Sequence, residues 1–565
     1  MKKLSLLLFL GMSVLGYSQS QRLVVFEEFT NASCGPCASQ NPAFQALMNA
    51  NTSKCSYVTY HWNFPGPNDP MYLANPTDMQ ARIGLYGFNF VPSCVMDGVT
   101  IPNCSGGYAG APACITQNMI NTQYAVPSPF ELYINQQLSP ANDSIYVTVL
   151  GKCTAAVSGN LVCQLIVLEK HIHYNSPPGS NGEKDFYNVM RKMLPSAAGT
   201  PLASSYQPGD YFVYKLGWKL ANITTLSELN VLGFVQNTTT KAVQQGAITS
   251  ATPISGVYAN DIEVTSVQDF LPTYCVNSLA PIVKFRNTGS QPLTSVTFHY
   301  KVNSGAVMDY PWTGNLGFLQ EATVQLPAYS FGLENNNTML IYTDGTNGSG
   351  DNYTKNDTVT KVFAAAVQAG TEATLILKTD NYPEETTWDV KDNSGNILAS
   401  GGPYPDKIHT YTISIPLGFG TCYQFNIYDA GGNGICCGTT GNGHYQLKSG
   451  SVIIIGGAGF GAKESAQFYS TSGVGLPEDK NPVVFSVYPN PVNGAATLSF
   501  TNYIPETVEI SIYNMQGKTV LSMPSTAYGT GNHEVMLDCS KLSAGIYTVQ
   551  MVAGDKTFNQ KITVK

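Results

Sequence analysis

Two cysteines separated by two residues are the part of this chain best suited to chemistry. Cys34 and Cys37 flank Gly35-Pro36 in the stretch FTNASCGPCASQNPAF. A cysteine attacks as its thiolate, and a helix N-terminus stabilises that anion through its free N–H groups and dipole. Cys34 falls where a strand gives way to a helix, and a proline in the first turn costs no hydrogen bond. The spacing therefore favours a redox pair, with Cys34 on a solvent-facing opening turn.

Two other interpretations of the pair stay open at this point. A zinc site needs a second pair of ligands at a suitable spacing, and His61 is the only histidine in this part of the chain. The other interpretation is a purely structural Cys34–Cys37 disulfide, because an oxidising compartment would keep the pair closed.

The segments around the pair predict alternating strands and helices. RLVVFEEF is apolar on both faces, as expected of a central parallel strand. The next segment places Cys37, Phe44 and Met48 on one face of a helix. CSYVTYHW and FVPSCVMDGV predict two further strands, and NPTDMQARIGLYG predicts a helix capped by Asn75 or Thr77.

These motifs together resemble thioredoxin. CGPC is the active-site tetrapeptide of that family, and Pro42 matches the proline that kinks its active-site helix. Glu28 matches its buried acidic residue, and FVPS matches its cis-proline loop at Pro92.

The resemblance implies a role for each matching residue. Cys34 would attack a disulfide as a thiolate, and Cys37 would resolve the mixed disulfide. Glu28 would assist proton transfer, and Pro92 with Val91 would form the edge that binds a substrate peptide.

The sequence departs from the thioredoxin pattern at two positions. Ser33 replaces the tryptophan before the first cysteine, which weakens the apolar docking rim, and Cys94 adds a third thiol close to Pro92. A larger pattern consists of HWNFPGPNDPMYLANPTDMQARIGLYGFNFVPSCVMDG followed by a β region with DFYNVMRKMLP. Over about residues 22–245 this pattern resembles outer-membrane-associated and secreted bacterial proteins that join a thioredoxin-like domain to a β-domain. That wider resemblance implies a fold more than an activity.

The start of the chain and its composition predict export. MKKLSLLLFLGMSVLGYSQSQR has the basic, apolar and small-residue regions of a cleavable signal peptide. Charged residues make up 12 % of the chain and the net charge is −8. The sequence contains no Lys/Arg stripe to neutralise phosphates, so we do not expect nucleic acid as a partner. No apolar run is long enough to span a membrane. Export would bring the thirteen cysteines of the chain into an oxidising compartment, where disulfides persist. Because the number is odd, at least one cysteine is left unpaired.

The fold class we predict is multidomain, with a thioredoxin-like α/β domain followed by several β-sandwich, immunoglobulin-like domains. The predicted parts are a signal peptide (1–20), the thioredoxin-like domain (21–125), a β-rich extension (126–252), an immunoglobulin-like sandwich (258–365), a Gly-rich sandwich (368–472) and a terminal β-domain (483–565). In the Gly-rich part, WDVKDNSGNILASGGPY and YQLKSGSVIIIGGAGFG resemble each other as two hairpins that would pack face to face.

Three predictions concern the β-rich extension. SIYVTVLGKC and NLVCQLIVLE flank TAAVSG, which predicts a hairpin with a disulfide between Cys153 and Cys163. EKDFYNVMRKML predicts a helical or irregular insertion. His171 and His173, two residues apart, could hold a metal from one face of a strand, although no carboxylate partner is identifiable from the sequence.

A Gly-rich loop, YDAGGNGICCG, is a candidate calcium site. Asp429, Asn433 and the loop backbone offer oxygen ligands, but their spacing is not that of the helical calcium loop. The alternative is a turn fastened by a disulfide from Cys422 to Cys436 or Cys437.

The C-terminus resembles the sorting domain of the type IX secretion system. FSVYPNPVNGAATLSF, VEISIYNMQGKTV and LSAGIYTVQMVAGDKTFNQKITVK occur in that order. The resemblance implies recognition by the type IX secretion machinery, passage from the periplasm across the outer membrane, and release or attachment to the cell surface.

We therefore predict a secreted or cell-surface thioredoxin-like protein, a candidate thiol–disulfide oxidoreductase acting on exported proteins without a required cofactor. The alternative is a non-catalytic surface adhesion or binding protein in which the thioredoxin-like domain is structural. The large share of the chain outside the redox domain favours this alternative.

Overall fold

The computed structural model describes residues 19–437, 441–471, 485–502, 506–529, 531–554 and 556–565. Almost all of the predicted signal peptide lies outside these residues. Among them, no helix has the length and apolar character needed to cross a membrane. The chain divides into two compact units, the first ending at Asp261 apart from the short segments 286–293 and 315–320, and the second holding the rest.

The first unit combines helices with strands. Its helices are α1 (Gly35–Asn49), α2 (Pro70–Ala74), α3 (Pro76–Tyr86) and α4 (Gln117–Tyr124). Its strands are β1 (Val24–Thr30), β2 (Cys55–His61), β3 (Ser93–Met96), β4 (Val99–Thr100), β5 (Phe130–Leu138), β6 (Ser144–Cys153), β7 (Val157–Ser158), β8 (Leu161–His173), β9 (Asp185–Leu194), β10 (Thr200–Pro201), β11 (Ser205–Tyr206), β12 (Tyr211–Lys219), β13 (Leu229–Asn237) and β14 (Val243–Ile248).

One large sheet runs through the first unit. Its strand order is β14-β13-β8-β9-β2-β1-β3-β4, with β10 paired to β8. β1 is parallel to β2 and antiparallel to β3, and all seven of its residues are buried. The central position predicted for RLVVFEEF is therefore what the structure shows, because a strand covered on both faces needs apolar side chains on both.

The helices cover both faces of this sheet. α1 packs Phe44 and Met48 against Val24 and Phe26 of β1. On the other face, side chains of α3 join the cluster that contains Val25 and Phe29. α3 begins at the Asn75 cap, where the Asn75 side chain accepts a hydrogen bond from the Asp78 amide, and it ends at the left-handed Gly87.

A three-stranded sheet, β12-β6-β5, packs over the other end of the large sheet. The predicted hairpin of β6 with β8 is therefore wrong, because β6 pairs with β5 and β12 while β8 pairs with β13 and β9. The predicted Cys153–Cys163 disulfide is wrong as well. Both cysteines are buried in the apolar core between the two sheets, and they are not bonded to each other.

The predicted helical or irregular insertion at EKDFYNVMRKML is also wrong, since this segment contains strand β9. β9 hydrogen-bonds to β8 on one side and to β2 on the other. Phe186, Val189, Met190 and Met193 are buried along it. Tertiary pairing of this kind overrides the weak local preference of the sequence.

The described chain after Asp261 is built mainly from strands. They are β15 (Ile262–Gln268), β16 (Thr273–Tyr274), β17 (Ser278–Leu279), β18 (Ile282–Asn287), β19 (Leu293–Val302), β20 (Met308–Leu316), β21 (Glu321–Gln325), β22 (Tyr329–Ser330), β23 (Asn337–Asp344), β24 (Thr358–Ala365), β25 (Val367–Ala369), β26 (Glu372–Lys378), β27 (Thr386–Asp392), β28 (Ile397–Gly401), β29 (Thr410–Pro416), β30 (Cys422–Asp429), β31 (His444–Ser449), β32 (Val452–Gly457) and β33 (Lys463–Ser470).

These strands form successive β-sandwiches. The first sandwich stacks β15-β18-β21 on β16-β24-β23-β19-β20, with Phe285 of one sheet against Phe298 of the other. The second stacks β25-β33-β30-β27-β28 on β29-β26-β31-β32 around Leu375, Trp388 and Leu447. The two similar hairpins of the sequence are β27–β28 and β31–β32, and they belong to opposite sheets of the second sandwich.

The disulfide predicted for Cys422 is wrong in its partner. Cys422 is bonded to Cys275, which lies 147 residues earlier, and Cys436 is bonded to its neighbour Cys437. The Cys275–Cys422 bond therefore joins the segment between β16 and β17 to the first residue of β30. This pairing depends on how the two sandwiches pack and not on local sequence.

The terminal strands are β34 (Ser486–Asn493), β35 (Ala495–Asn502), β36 (Glu506–Asn514), β37 (Thr519–Ser522), β38 (Thr526–Tyr528), β39 (Gly531–Asp538), β40 (Gly545–Ala553) and β41 (Lys556–Val564). Their sheet order is β37-β36-β40-β41-β34-β35-β39, and β38 pairs with β36. Val492, Leu498, Ile512 and Val549 lie at the centre of its apolar core.

Candidate functional site

The two cysteines of the CGPC motif form a disulfide at the start of α1. Cys34 is the N-cap residue, its Cα lies 5.2 Å from that of Cys37, and the Cys37 amide donates to the Cys34 sulfur at 3.1 Å. Gly35 and Pro36 occupy the first turn, where the missing proline N–H has no helical partner to lose. The strand–helix junction predicted from the spacing is therefore present.

The loop that carries Pro92 lies beside this disulfide. The Val91 carbonyl oxygen is 3.6 Å from the Cys34 sulfur, and the Val91–Pro92 peptide bond is cis. The Tyr108 hydroxyl donates to the Pro92 carbonyl oxygen at 2.6 Å. Tyr108 stands in the segment closed by the Cys104–Cys114 disulfide. This second bond was not predicted from the sequence, although two cysteines around a Gly-rich segment are a signal for it.

A buried histidine–aspartate pair holds the other side of the motif. His61 and Asp69 lie 2.7 Å apart, with His61 wholly buried. The same Asp69 oxygen accepts the Ala32 amide at 2.8 Å. The His61 contact, together with backbone donors, lowers the pKa of Asp69 against the opposing effect of burial. Asp69 thus fixes the backbone that leads into Cys34, a positioning role that the sequence analysis did not assign.

Residues 174–184, which connect β8 to β9, form a loop that we call the cover loop. The Asn181 backbone amide donates to the Ala32 carbonyl at 3.2 Å, and its side-chain amide donates to the Cys34 carbonyl at 3.2 Å. The Ser180 amide donates to the Ser33 hydroxyl at 3.2 Å. The loop therefore binds directly to the residues that precede and include the first cysteine.

The solvent-facing position predicted for Cys34 is wrong. Only 2 % of Cys34 is exposed, although Gly35 and Pro36 beside it are exposed. The approach of the cover loop is very close at Gly179, where a Cβ atom would lie 2.1 Å from the Ala32 carbonyl oxygen. The cover loop belongs to the β-rich extension, so the local CGPC sequence could not indicate this burial.

Glu28 lies on β1, in register with Cys94 of β3. Its carboxyl is buried, one oxygen accepts the Thr59 hydroxyl at 3.3 Å, and the other has no hydrogen-bond partner among the described residues. Burial raises the pKa of Glu28 to about 8; the Thr59 hydrogen bond opposes this shift and the charge of Glu183 adds to it. Glu28 is therefore protonated at neutral pH.

We expect this proton to make the stability of the first unit depend on pH. Between the ordinary carboxyl pKa of 4.5 and about 8, the folded chain keeps a proton that the unfolded chain has released. Stability should therefore fall as pH rises through this range, by on the order of 4 kcal/mol between pH 5 and pH 8. Glu28→Gln should remove this loss, as measured by calorimetry of the first-unit transition at several pH values.

Glu131→Gln is the matched control, because it makes the same change at a half-buried carboxyl of β5, and this variant should still lose stability between pH 5 and pH 8. If Glu28→Gln and the unmodified chain lose the same stability between pH 5 and pH 8, Glu28 does not hold that proton.

The third thiol near the motif is inaccessible. Cys94 is wholly buried, and burial raises the pKa of its thiol well above the usual range, with the charges of Glu28 and Glu27 adding to the increase. For Cys94 to react with the Cys34–Cys37 disulfide, its thiol would have to ionise inside the core.

The candidate calcium loop follows β30. Asp429 is buried, and one of its carboxylate oxygens accepts the amides of Asn433 at 2.9 Å and Gly434 at 3.1 Å. Burial raises the pKa of the nearby Asp380, and the charge of Asp429 adds to the increase. The carboxyl groups of Asp380 and Asp429 therefore lie close enough to interact at this loop. Calcium binding by Asp429 and Asn433 stays a prediction.

The terminal β-domain matches a known family. Residues 486–565 match the family model described as "Secretion system C-terminal sorting domain". The chain therefore carries a type IX sorting domain that is recognised by that secretion machinery, and the protein is exported, either to the cell surface or into the medium.

Among solved structures, the chain is similar to "HBP35 of Porphyromonas gingivalis" at 15 % identity and a TM-score of 0.35, covering 61 % of this chain and 98 % of that one. It is also similar to a domain of the outer membrane lipoprotein Omp28 from Porphyromonas gingivalis, at 17 % identity and a TM-score of 0.17, covering 23 % and 94 %. A "Biofilm associated protein - BSP domain" follows at 11 % identity and a TM-score of 0.14, covering 77 % and 96 %. No curated protein matches the chain.

Proposed function

We propose that this exported protein acts at or outside the cell surface by binding, and that its thioredoxin-like front part with the Cys34–Cys37 disulfide serves as a structural module. The burial of Cys34, together with the hydrogen bond from the cover loop to its backbone carbonyl, carries this proposal. A disulfide that exchanges with protein substrates must admit an attacking thiolate in line with its S–S bond. Cys34 is only 2 % exposed, so an attacking thiolate cannot reach its sulfur in this conformation.

The rest of the molecule supports a binding role. Along the chain, two β-sandwiches follow the front part and precede the sorting domain. Sandwiches of this kind present loops and edge strands to partners. β28 ends one sheet of the second sandwich, and its Ile397 and Leu398 are exposed. An apolar edge strand is suited to pairing with an extended segment of another protein.

Thiol–disulfide exchange on exported proteins is the second candidate function. Cys34 at a helix N-cap, the Val91 carbonyl 3.6 Å from its sulfur, and a buried Glu28 that is protonated at neutral pH favour it. This function would require the cover loop to move away, so that a substrate strand could lie along Val91 and Pro92.

An insulin-reduction assay on the mature full chain separates the two functions. We expect the unmodified chain and Cys34→Ser to reduce insulin at the same slow rate in the presence of dithiothreitol. If the disulfide has a structural role, the first unit of the Cys34→Ser/Cys37→Ser variant should melt at a lower temperature, because loss of a disulfide raises the conformational entropy of the unfolded chain.

A clear loss of insulin reduction in Cys34→Ser, with the fold retained by circular dichroism, would favour the exchange function. Cys275→Ser/Cys422→Ser is the matched control, because it removes a disulfide of the second unit and should leave insulin reduction unchanged.

A further inference from the structure

Two histidines and one aspartate converge at the paired ends of β8 and β9. His171 and His173 lie two residues apart on β8, so their side chains leave the same face of the strand. In the antiparallel register His173 stands opposite Asp185, and His171 stands opposite Tyr187. The pairing therefore brings a carboxylate to the face that carries both imidazoles.

The three side chains meet at one atom. An Asp185 carboxylate oxygen lies 2.8 Å from Nε2 of His171 and 2.8 Å from Nδ1 of His173. One candidate ligand atom from each residue, three in all, lies within 4.8 Å of the other two. Tetrahedral zinc, with bonds of about 2.0–2.1 Å, needs its ligand atoms about 3.3 Å apart, a spacing that small rotations of these side chains can reach.

The strands hold the cluster in place. β8 and β9 are interior strands of the large sheet, with β13 and β2 on their outer sides. Between the histidines, Ile172 points to the opposite face, where it and Phe186 are buried. The His171 ring stacks on Tyr187 at 4.9 Å. The ligands would therefore lose little conformational freedom on binding.

The cluster is open to solvent on its outer side. The side chains of His171, Asp185 and His173 are 41 %, 44 % and 52 % exposed. Three protein ligands with an exposed remaining position suit a metal that keeps a water or takes a ligand from another molecule. Two imidazole nitrogens favour zinc or a similar transition metal over calcium or magnesium, which prefer oxygen ligands.

We propose that His171, His173 and Asp185 form a surface site for a divalent transition metal, with Zn²⁺ as the probe ion. On metal binding, each ring nitrogen that faces Asp185 would bind the metal through its lone pair, and any proton on that nitrogen would move to the other ring nitrogen or be released to water. The sequence indicates the two histidines as candidate ligands but not Asp185, because the segment that contains Asp185 is predicted to be a helical or irregular insertion.

Zinc competition against a chromophoric chelator tests the proposal on the metal-stripped mature chain. We expect one Zn²⁺ per chain with micromolar or tighter affinity. His171→Ala/His173→Ala should abolish this binding, and Asp185→Asn should weaken it by at least about tenfold, since even residues outside a ligand set change metal affinity by that factor.

His409→Ala/His444→Ala is the matched control, because it removes two imidazoles from the second sandwich and should keep the full affinity. The visible spectrum of the Co²⁺-loaded chain gives a second readout, and it should show nitrogen and oxygen ligands without thiolate bands. The proposal is overturned if the unmodified chain does not bind Zn²⁺, if the His171→Ala/His173→Ala variant binds it equally well, or if thiolate bands appear.

Discussion

Gly179→Ala should accelerate reduction of the Cys34–Cys37 disulfide by about tenfold or more. The added methyl group would lie 2.1 Å from the Ala32 carbonyl oxygen, so the cover loop must move away from the motif. A loss of only about 1.4 kcal/mol in loop docking raises the population of the open loop tenfold. Alkylation of Cys34 under mild reduction, followed by mass spectrometry over time, measures the rate.

Gly332→Ala is the matched control, because a Cβ atom there meets no atom within 4 Å. It should leave the alkylation rate unchanged. The unmodified chain itself should open Cys34–Cys37 slowly. If Gly179→Ala and the unmodified chain react at the same rapid rate, the cover loop does not protect the disulfide and the exchange function gains support.

The second large effect concerns a buried ion pair. Arg82 of α3 contacts both carboxylate oxygens of Glu27 on β1, at 2.6 and 2.8 Å, and both side chains are at most 2 % exposed. Burial alone would lower the pKa of Arg82, but the Glu27 charge beside it raises that pKa overall. Arg82→Met should destabilise the first unit by about 3–5 kcal/mol, because it leaves a buried carboxylate without its partner.

Calorimetry is the appropriate measurement, because it separates the first-unit transition in a chain that does not unfold in one two-state step. Glu27→Gln/Arg82→Met should be more stable than Arg82→Met alone, since no uncompensated charge remains. Lys170→Met, which removes an exposed ion pair with Glu228, should cost at most about 1 kcal/mol. Equal losses in Arg82→Met and Lys170→Met would contradict the buried-pair argument.

Local sequence was sufficient where the determinants are local. The seven buried residues of β1, the start of α1 at Cys34 and the Asn75 cap of α3 follow from periodicity and capping rules. The C-terminal sorting motif was also identified from its own residues, and the family match confirms it.

Long-range pairing was not predictable in the same way. β9 has no strong strand pattern of its own, and its register with β8 is what brings Asp185 to the histidines. The cover loop residue that binds the Cys34 carbonyl lies 147 residues further along the chain. The partner of Cys422 is likewise 147 residues away in the sequence. Such contacts are set by packing between elements, which a single sequence does not reveal.

The parallel pairing of β2 with β9, through Thr59 and Val189, has a consequence for proteolysis. A protease that cleaves the backbone between α4 and β5 would not release the front part of the protein, because main-chain bonds across the sheet would keep the two fragments together. The nicked protein should run as two bands on a denaturing gel and as one species in gel filtration.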